Sequence, residues 1–362
     1  MRPGPGPGTA AALKLSVLDQ SPVPAGFTPA DALRNTIDLA RAAERFGYER
    51  YWIAEHHAME TLACPAPEIL ITRVAAETSI IRVGSGGVLL PHYSPLKVAE
   101  QFRMLHALYP GRIDLAVGRA PGSGGLEAYA LQRERSKRQE AEDFPEQLIE
   151  LDAFLHHDFP PEHPFSRIKV SPEMPGNPDL WLLGSSLWSA AVAAQLGLPY
   201  AFAHFIGPEQ TEAALARYRS DFKPSKRLAE PRIIVALGAV CADTEAEATR
   251  LSASTKVLIR GIRLGGERRP VPTPEDATRE LEALGEGADP FTWDAGKWPR
   301  YVVGSAAQVA GTLETMARDL RVDEIMILTV IHDHRARRRS YELLAKSLGL
   351  VSRSSEAQKA RS

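Results

Sequence analysis

The sequence predicts an α/β fold, a closed parallel barrel of the TIM (β/α)8 type with an excursion after its seventh strand, on three observations. Eight short apolar, β-branched runs alternate with amphipathic helices along the chain, the pattern expected when each parallel strand returns through a crossover helix. Polar clusters recur where those runs end, at Asp19-Gln20, Glu55-His56-His57, Pro91-His92, Arg119, Ser185-Ser186, His204 and His332-Asp333-His334, and a barrel brings all its strand carboxyl ends to one mouth. An open doubly wound sheet shares the local alternation, but no G-x-G-x-x-G follows the first strand.

Leu13 to Leu18 alternates as a first strand, and the helix after it is capped by Thr28 or Asp31 and ends at Gly47. Arg50 to Ala54 is a short second strand that delivers Glu55-His56-His57. Helix 67–78 leads to the apolar run Arg82 to Leu90, whose Gly86-Gly87 pair signals a bulge or a flat group close to the backbone. The glycines equally suit a plain turn. Leu96 to Leu108 is helical, with Val98, Phe102, Leu105 and Leu108 on one face. Strand Arg112 to Gly118 then delivers Arg119 into the Gly-rich stretch 121–125.

A helix over 143–155 and a proline-rich insertion at 159–178 precede the strand Leu180 to Gly184. Ser185-Ser186-Leu187-Trp188-Ser189 opens the next helix, closed by Gly197; Tyr200 to Phe205 and Arg232 to Cys241 are the sixth and seventh strands, with helix 208–219 between them. Residues 243–298 leave the barrel, placed to cover its mouth as a lid with Phe291, Trp293 and Trp298, aromatics that serve equally well for packing alone. Helix 305–320 and the strand Glu324 to Ile331 complete one barrel domain over 13–350, between disordered tails at 1–12 and 351–362.

With 43 basic and 45 acidic residues, no global field draws the chain to nucleic acid or an anionic membrane, so a small-molecule partner is expected. Cys64 and Cys241 form neither a disulfide framework nor a C-x-x-C pair, and no apolar run is long enough for a membrane span. With no signal-peptide pattern at the start, a cytoplasmic location is the expectation.

Three constellations carry chemistry. The helix start at Ser185, Ser186 and Ser189 exposes N–H groups that hold a phosphate, with Arg119 adding charge from the neighbouring strand; the serines are also ordinary N-caps. Of His56 and His57, adjacent on an extended segment, one faces the mouth as a proton carrier or a structural group. His332 and His334 have a metal-ligand spacing, but the basic run Arg335 to Arg339 opposes a cation, so no metal is expected.

Four stretches in order, Tyr51 to His57, Gly84 to Pro95 with Ala99-Glu100-Gln101, Gly111 to Arg119, and Gly184 to Ser189 before Gly197-Leu198-Pro199, resemble the bacterial luciferase-like flavin monooxygenases over about Leu13 to Leu350. The resemblance implies that Gly86-Gly87 is a non-proline cis peptide against the flavin ring, that Arg119, Ser185, Ser186 and Ser189 bind the FMN phosphate, and that His56 is the active-site histidine. Gly118 stands where the luciferase has a reactive cysteine, so no thiol chemistry is carried over. The resemblance further implies reduced FMN from a separate flavin reductase, transfer of one oxygen atom from O2 to a small organic substrate, and a homodimer. Two alternatives keep the fold: a deazaflavin-dependent oxidoreductase, and a flavin-binding protein without turnover.

Overall fold

The computed structural model describes residues 12–120, 125–131, 143–264, 269–287 and 297–351. Its elements run β1 (Lys14–Asp19), α1 (Pro29–Phe46), β2 (Arg50–Ile53), α2 (Pro67–Glu77), β3 (Arg82–Ser85), β4 (Val88–Leu89), α3 (Pro95–Leu108), β5 (Ile113–Gly118), α4 (Gly125–Leu131) and α5 (Phe144–His156). The chain continues with β6 (Asp179–Gly184), α6 (Leu187–Leu196), β7 (Tyr200–Ala203), α7 (Thr211–Asp221), β8 (Ile233–Ala242), α8 (Glu245–Leu264), α9 (Pro274–Ala283), β9 (Tyr301–Ser305), α10 (Ala306–Leu320), β10 (Glu324–Leu328) and α11 (His334–Ser347).

Strands β1, β2, β3, β5, β6, β7, β8 and β10 pair in parallel, and β10 closes the ring by pairing with both β8 and β1. The strand period of two sorts the side chains. Leu18, Trp52, Ala54, Ala116, Trp181, Ala201, Ile234, Ala236 and Met326 fill the barrel. Val17, Tyr51, Ile53, Leu115, Val117, Leu182, Phe202, Val235 and Ile327 face outward into the helical layer.

The amino-terminal end of the barrel is closed by charge. Arg50 is fully buried and donates Nη1 to Asp114 at 2.7 Å and Nε to Glu324 at 2.6 Å. Trp52 donates its indole N–H to the same Asp114 at 2.8 Å, Arg82 adds a further bond to that carboxylate, and Ser16 bonds to Glu324. Every charge there has a partner, the condition under which buried ions are tolerated.

The excursion differs from its expected form in two respects. Tyr301 to Ser305 forms β9, which pairs in parallel with the distal half of β8, from Gly238 to Ala242. Within the excursion Leu258 and Val271 join the interior cluster, and Val271 bonds to the segment after β1 through Val23 and Ala25. Trp298 packs against the outer layer instead of lining the mouth, so it is no part of an apolar cover. Phe291 and Trp293 lie outside the described residues, as do 1–11 and 352–362 of the expected tails. No helix among the described residues is long and apolar enough to cross a membrane.

Candidate active site

A cleft of about 440 Å³ opens at the carboxyl ends of the strands, and His56, Gly86, Gly87, Arg119, Ser185, Ser186 and Ser189 all line it. The expected single strand from Arg82 to Leu90 is instead two short strands with a break at Gly86-Gly87, where the peptide bond is cis. Ser85 bridges the break, its hydroxyl donating to Ala116 O at 2.8 Å and accepting from Ala116 N at 3.0 Å. A Cβ on Gly86 would lie 2.6 Å from Leu18 Cδ1, and one on Gly87 would lie 2.7 Å from Ala116 O. The second meets backbone that cannot yield and the first would need Leu18 to move aside, and with glycine at both positions this part of the wall is bare backbone.

Glu55, 3 % exposed, is the hub behind that wall. It accepts from Leu89 N at 3.0 Å, from Tyr93 Oη at 2.7 Å and is bonded to His57 Nε2 at 2.6 Å. Burial, with the Glu55 charge beside it, pushes the Tyr93 phenol well above its ordinary range. The alternation of an extended segment divides the histidines as expected: His56 lines the cleft, and His57 turns to Glu55 and packs edge-on against His92. Burial, and secondarily His57, lowers His56 from 6.5 to about 4. Its Nδ1 is enclosed and has no hydrogen-bond partner.

At the opposite side, Ser186 is the N-cap of α6 and forms a capping box with Ser189. Ser189 is held from below by Tyr200 Oη at 2.9 Å and donates to Ser186 O at 2.9 Å. The N-cap reading of these serines holds, with Ser189 shaping the helix start. Arg119, exposed at the end of β5, lies over the indole of Trp188 with its Cζ 4.1 Å from the ring centroid.

Several strand-end groups expected at the mouth are elsewhere. Asp19 turns outward to Tyr51, Ser21 N and Arg337, His204 bonds to Thr211 and Pro299 O, and His332 and His334 bond to Ala25 O and Asp38. Among the described residues no group of three or more His, Cys, Asp or Glu side chains is arranged to hold a metal. Sequence reasoning missed Met59, Phe144, Leu183, Phe205, Ile206 and Met326, which make most of the cleft apolar. Apolar residues at a strand end carry no signal that separates a pocket wall from core.

The cleft thus has bare backbone on one wall and a cation beside a helix start on the other. The chain matches the luciferase-like monooxygenase family over residues 13–324 and belongs to it. It is 40 % identical to a luciferase-like monooxygenase of Escherichia coli, over 91 % of this chain and 96 % of that one. It is 38 % identical to the N-acetyl-S-alkylcysteine monooxygenase of Bacillus subtilis, over 93 % and 98 %. The solved structure of apo-MsnO8 is 48 % identical and superposes with a TM-score of 0.87, over 94 % of this chain and 99 % of that one. The protein is thus an oxidoreductase of the monooxygenase type, acting with O2 on an organic substrate.

Proposed function

We propose that the protein inserts one oxygen atom from O2 into a small, largely apolar organic substrate, using reduced FMN delivered by a separate flavin reductase. The observation that carries this reading is the placement of two unlike features in one cleft: the side-chain-free Gly86-Gly87 wall and the Arg119 cation beside the start of α6. The first suits the face of an aromatic ring system, and the second suits a phosphate. Reduced flavin, when bound, supplies the electrons that activate O2.

The residues of the chain bind, orient and protect. Gly86 and Gly87 admit the ring to backbone contact. Arg119, Ser185 and Ser186 hold the phosphate, and Ser189 keeps the helix start in shape. His56, neutral near pH 7 because burial lowers it to about 4, offers a ring nitrogen as a hydrogen-bonding atom to cofactor or substrate. Phe144, Leu183, Phe205, Ile206 and Met326 exclude water from the reacting centre. A thioether, the group named in the B. subtilis relative, is the first substrate class to try. A homodimer belongs to the same reading, by resemblance to the family.

The test is anaerobic titration with reduced FMN, with a reduced deazaflavin titrated in parallel, followed by mixing with O2 and a panel of thioethers. Saturable FMN binding and an oxygenated product are expected. Binding of the deazaflavin alone, or of neither, would refute the proposal.

A further inference from the structure

Trp188, the second residue of α6, stays 37 % exposed while Ala190, Ala193 and Ala194 of the same helix are buried. One side of its indole meets Phe144, the buried first residue of α5, with ring centroids 6.1 Å apart and planes at 52°. Over the indole lies the Arg119 guanidinium, its Cζ 4.1 Å from the ring centroid. All three side chains line the cleft. Residues from β5, α5 and α6 thus meet in one aromatic and cationic corner.

Electrostatics make this an unusual place for an arginine. The start of a helix carries a partial positive charge that repels a cation and attracts an anion, and no carboxylate among the described residues pairs with Arg119. The contact with Trp188 offsets that repulsion through the ring quadrupole. A guanidinium stacked through its face keeps its N–H donors in its own plane, where a fork of two can meet an oxyanion. Lysine could not take this part, since a point charge has neither face nor fork.

We propose that Trp188 is a positioning residue for a phosphate monoester: it fixes the Arg119 guanidinium at the start of α6, so that the edge donors and the helix N–H groups converge on one anion. The inference rests on the flavin reading above and deepens it, because it makes Trp188 a determinant of the preference for phosphorylated over unphosphorylated flavin.

The experiment is anaerobic titration of the full chain with reduced FMN and with reduced riboflavin, which lacks the phosphate. It compares wild type, Trp188→Phe, Trp188→Leu, Arg119→Ala and the Arg119→Ala/Trp188→Leu double variant. Trp188→Leu is expected to weaken FMN binding about 5-fold, the size of an exposed cation–π contact, and to leave riboflavin within about 2-fold. Trp188→Phe, which keeps a ring face, is expected to restore most of the loss. In the Arg119→Ala background the Trp188→Leu change is expected to add nothing, because the residue acts through the arginine. Inorganic phosphate as competitor is expected to displace FMN from wild type but not riboflavin, which separates a free phosphate site from one specific to the flavin chain. Equal losses for FMN and riboflavin, or an undiminished Trp188→Leu effect without Arg119, would overturn the inference while leaving flavin binding intact. Failure of wild type to bind either flavin would instead overturn the flavin reading beneath it.

Discussion

Replacing Glu55 by Leu strips the acceptor from three donors at once: Leu89 N–H, Tyr93 O–H and the His57 imidazole. The Leu89 amide is buried backbone, and a buried donor left unpaired costs about 1–3 kcal/mol. The other two groups reach water partly, the His57 side chain being 13 % exposed, so solvent replaces part of what each loses and leaves about 1 kcal/mol net apiece. The expected destabilisation of Glu55→Leu is therefore about 3–5 kcal/mol. Glu55→Gln should do far less damage. Its amide nitrogen can take the place of Oε1 and donate to Tyr93 Oη and to His57 Nε2 in the tautomer that accepts there, while the remaining oxygen still accepts from Leu89. With only charge assistance and the Tyr93 donor lost, about 1–2 kcal/mol is expected. Urea unfolding followed by fluorescence and circular dichroism measures both, as shifts of the midpoint at constant slope. A Leu variant within about 1 kcal/mol of wild type, or a Gln variant as damaged as the Leu one, would refute the hub assignment.

Arg119→Ala should weaken reduced-FMN binding by about 1.5–3 kcal/mol, the range for a hydrogen bond to a charged group; unchanged affinity in the same titration would remove the phosphate assignment. His56→Ala should leave flavin affinity nearly intact and raise the share of O2 released as hydrogen peroxide, and coupling equal to wild type would exclude that role. Nuclear magnetic resonance of the His56 ring should show no protonation until near pH 4. Because its folded value lies below 6.5, the unfolded chain binds the proton more tightly, so stability declines as pH falls from about 6.5 toward 4. His56→Gln should flatten that part of the curve. Asp114 and Asp19 govern the more acidic limb. Burial alone would raise both, but Arg50 and Arg82 for Asp114, and Arg337 and the Tyr51 hydrogen bond for Asp19, outweigh it and hold both below 3.8. Their contribution is complete above about 3.8 and disappears as pH falls through the folded values, so Asp114→Asn should lower stability at neutral pH and blunt the acid transition in the same unfolding series.

Periodicity made the barrel legible. Leu180 to Gly184 was legible as a strand from its continuous apolar run, whereas the split between Trp181 inside and Leu182 outside came from the structure. The cleft was legible where chemistry is concentrated, at Arg119, at the serines before α6 and at His56. Parity explains the failures: Leu18 lines the cleft, so its neighbour Asp19 must turn away from it, and a polar residue at a strand end is only half a prediction until its face is known. Tyr301 to Ser305 escaped notice because five residues beside a charged, Pro- and Gly-rich segment give too short an alternation to stand out. The link from Arg119 to Trp188 and Phe144 joins three separate stretches of chain, and no local pattern in any one of them points to the other two.

The ten-residue length of β8 has a further consequence. Its first half is a stave of the barrel, and its second half projects beyond the ring to carry β9 as an outrigger. The chain between them, from Glu245 to Arg300, therefore departs from and lands on the same rigid mast. Both ends of that interval are thus held together by one β-ladder, so a change of length between them is absorbed between two points that stay fixed on a single strand of the ring.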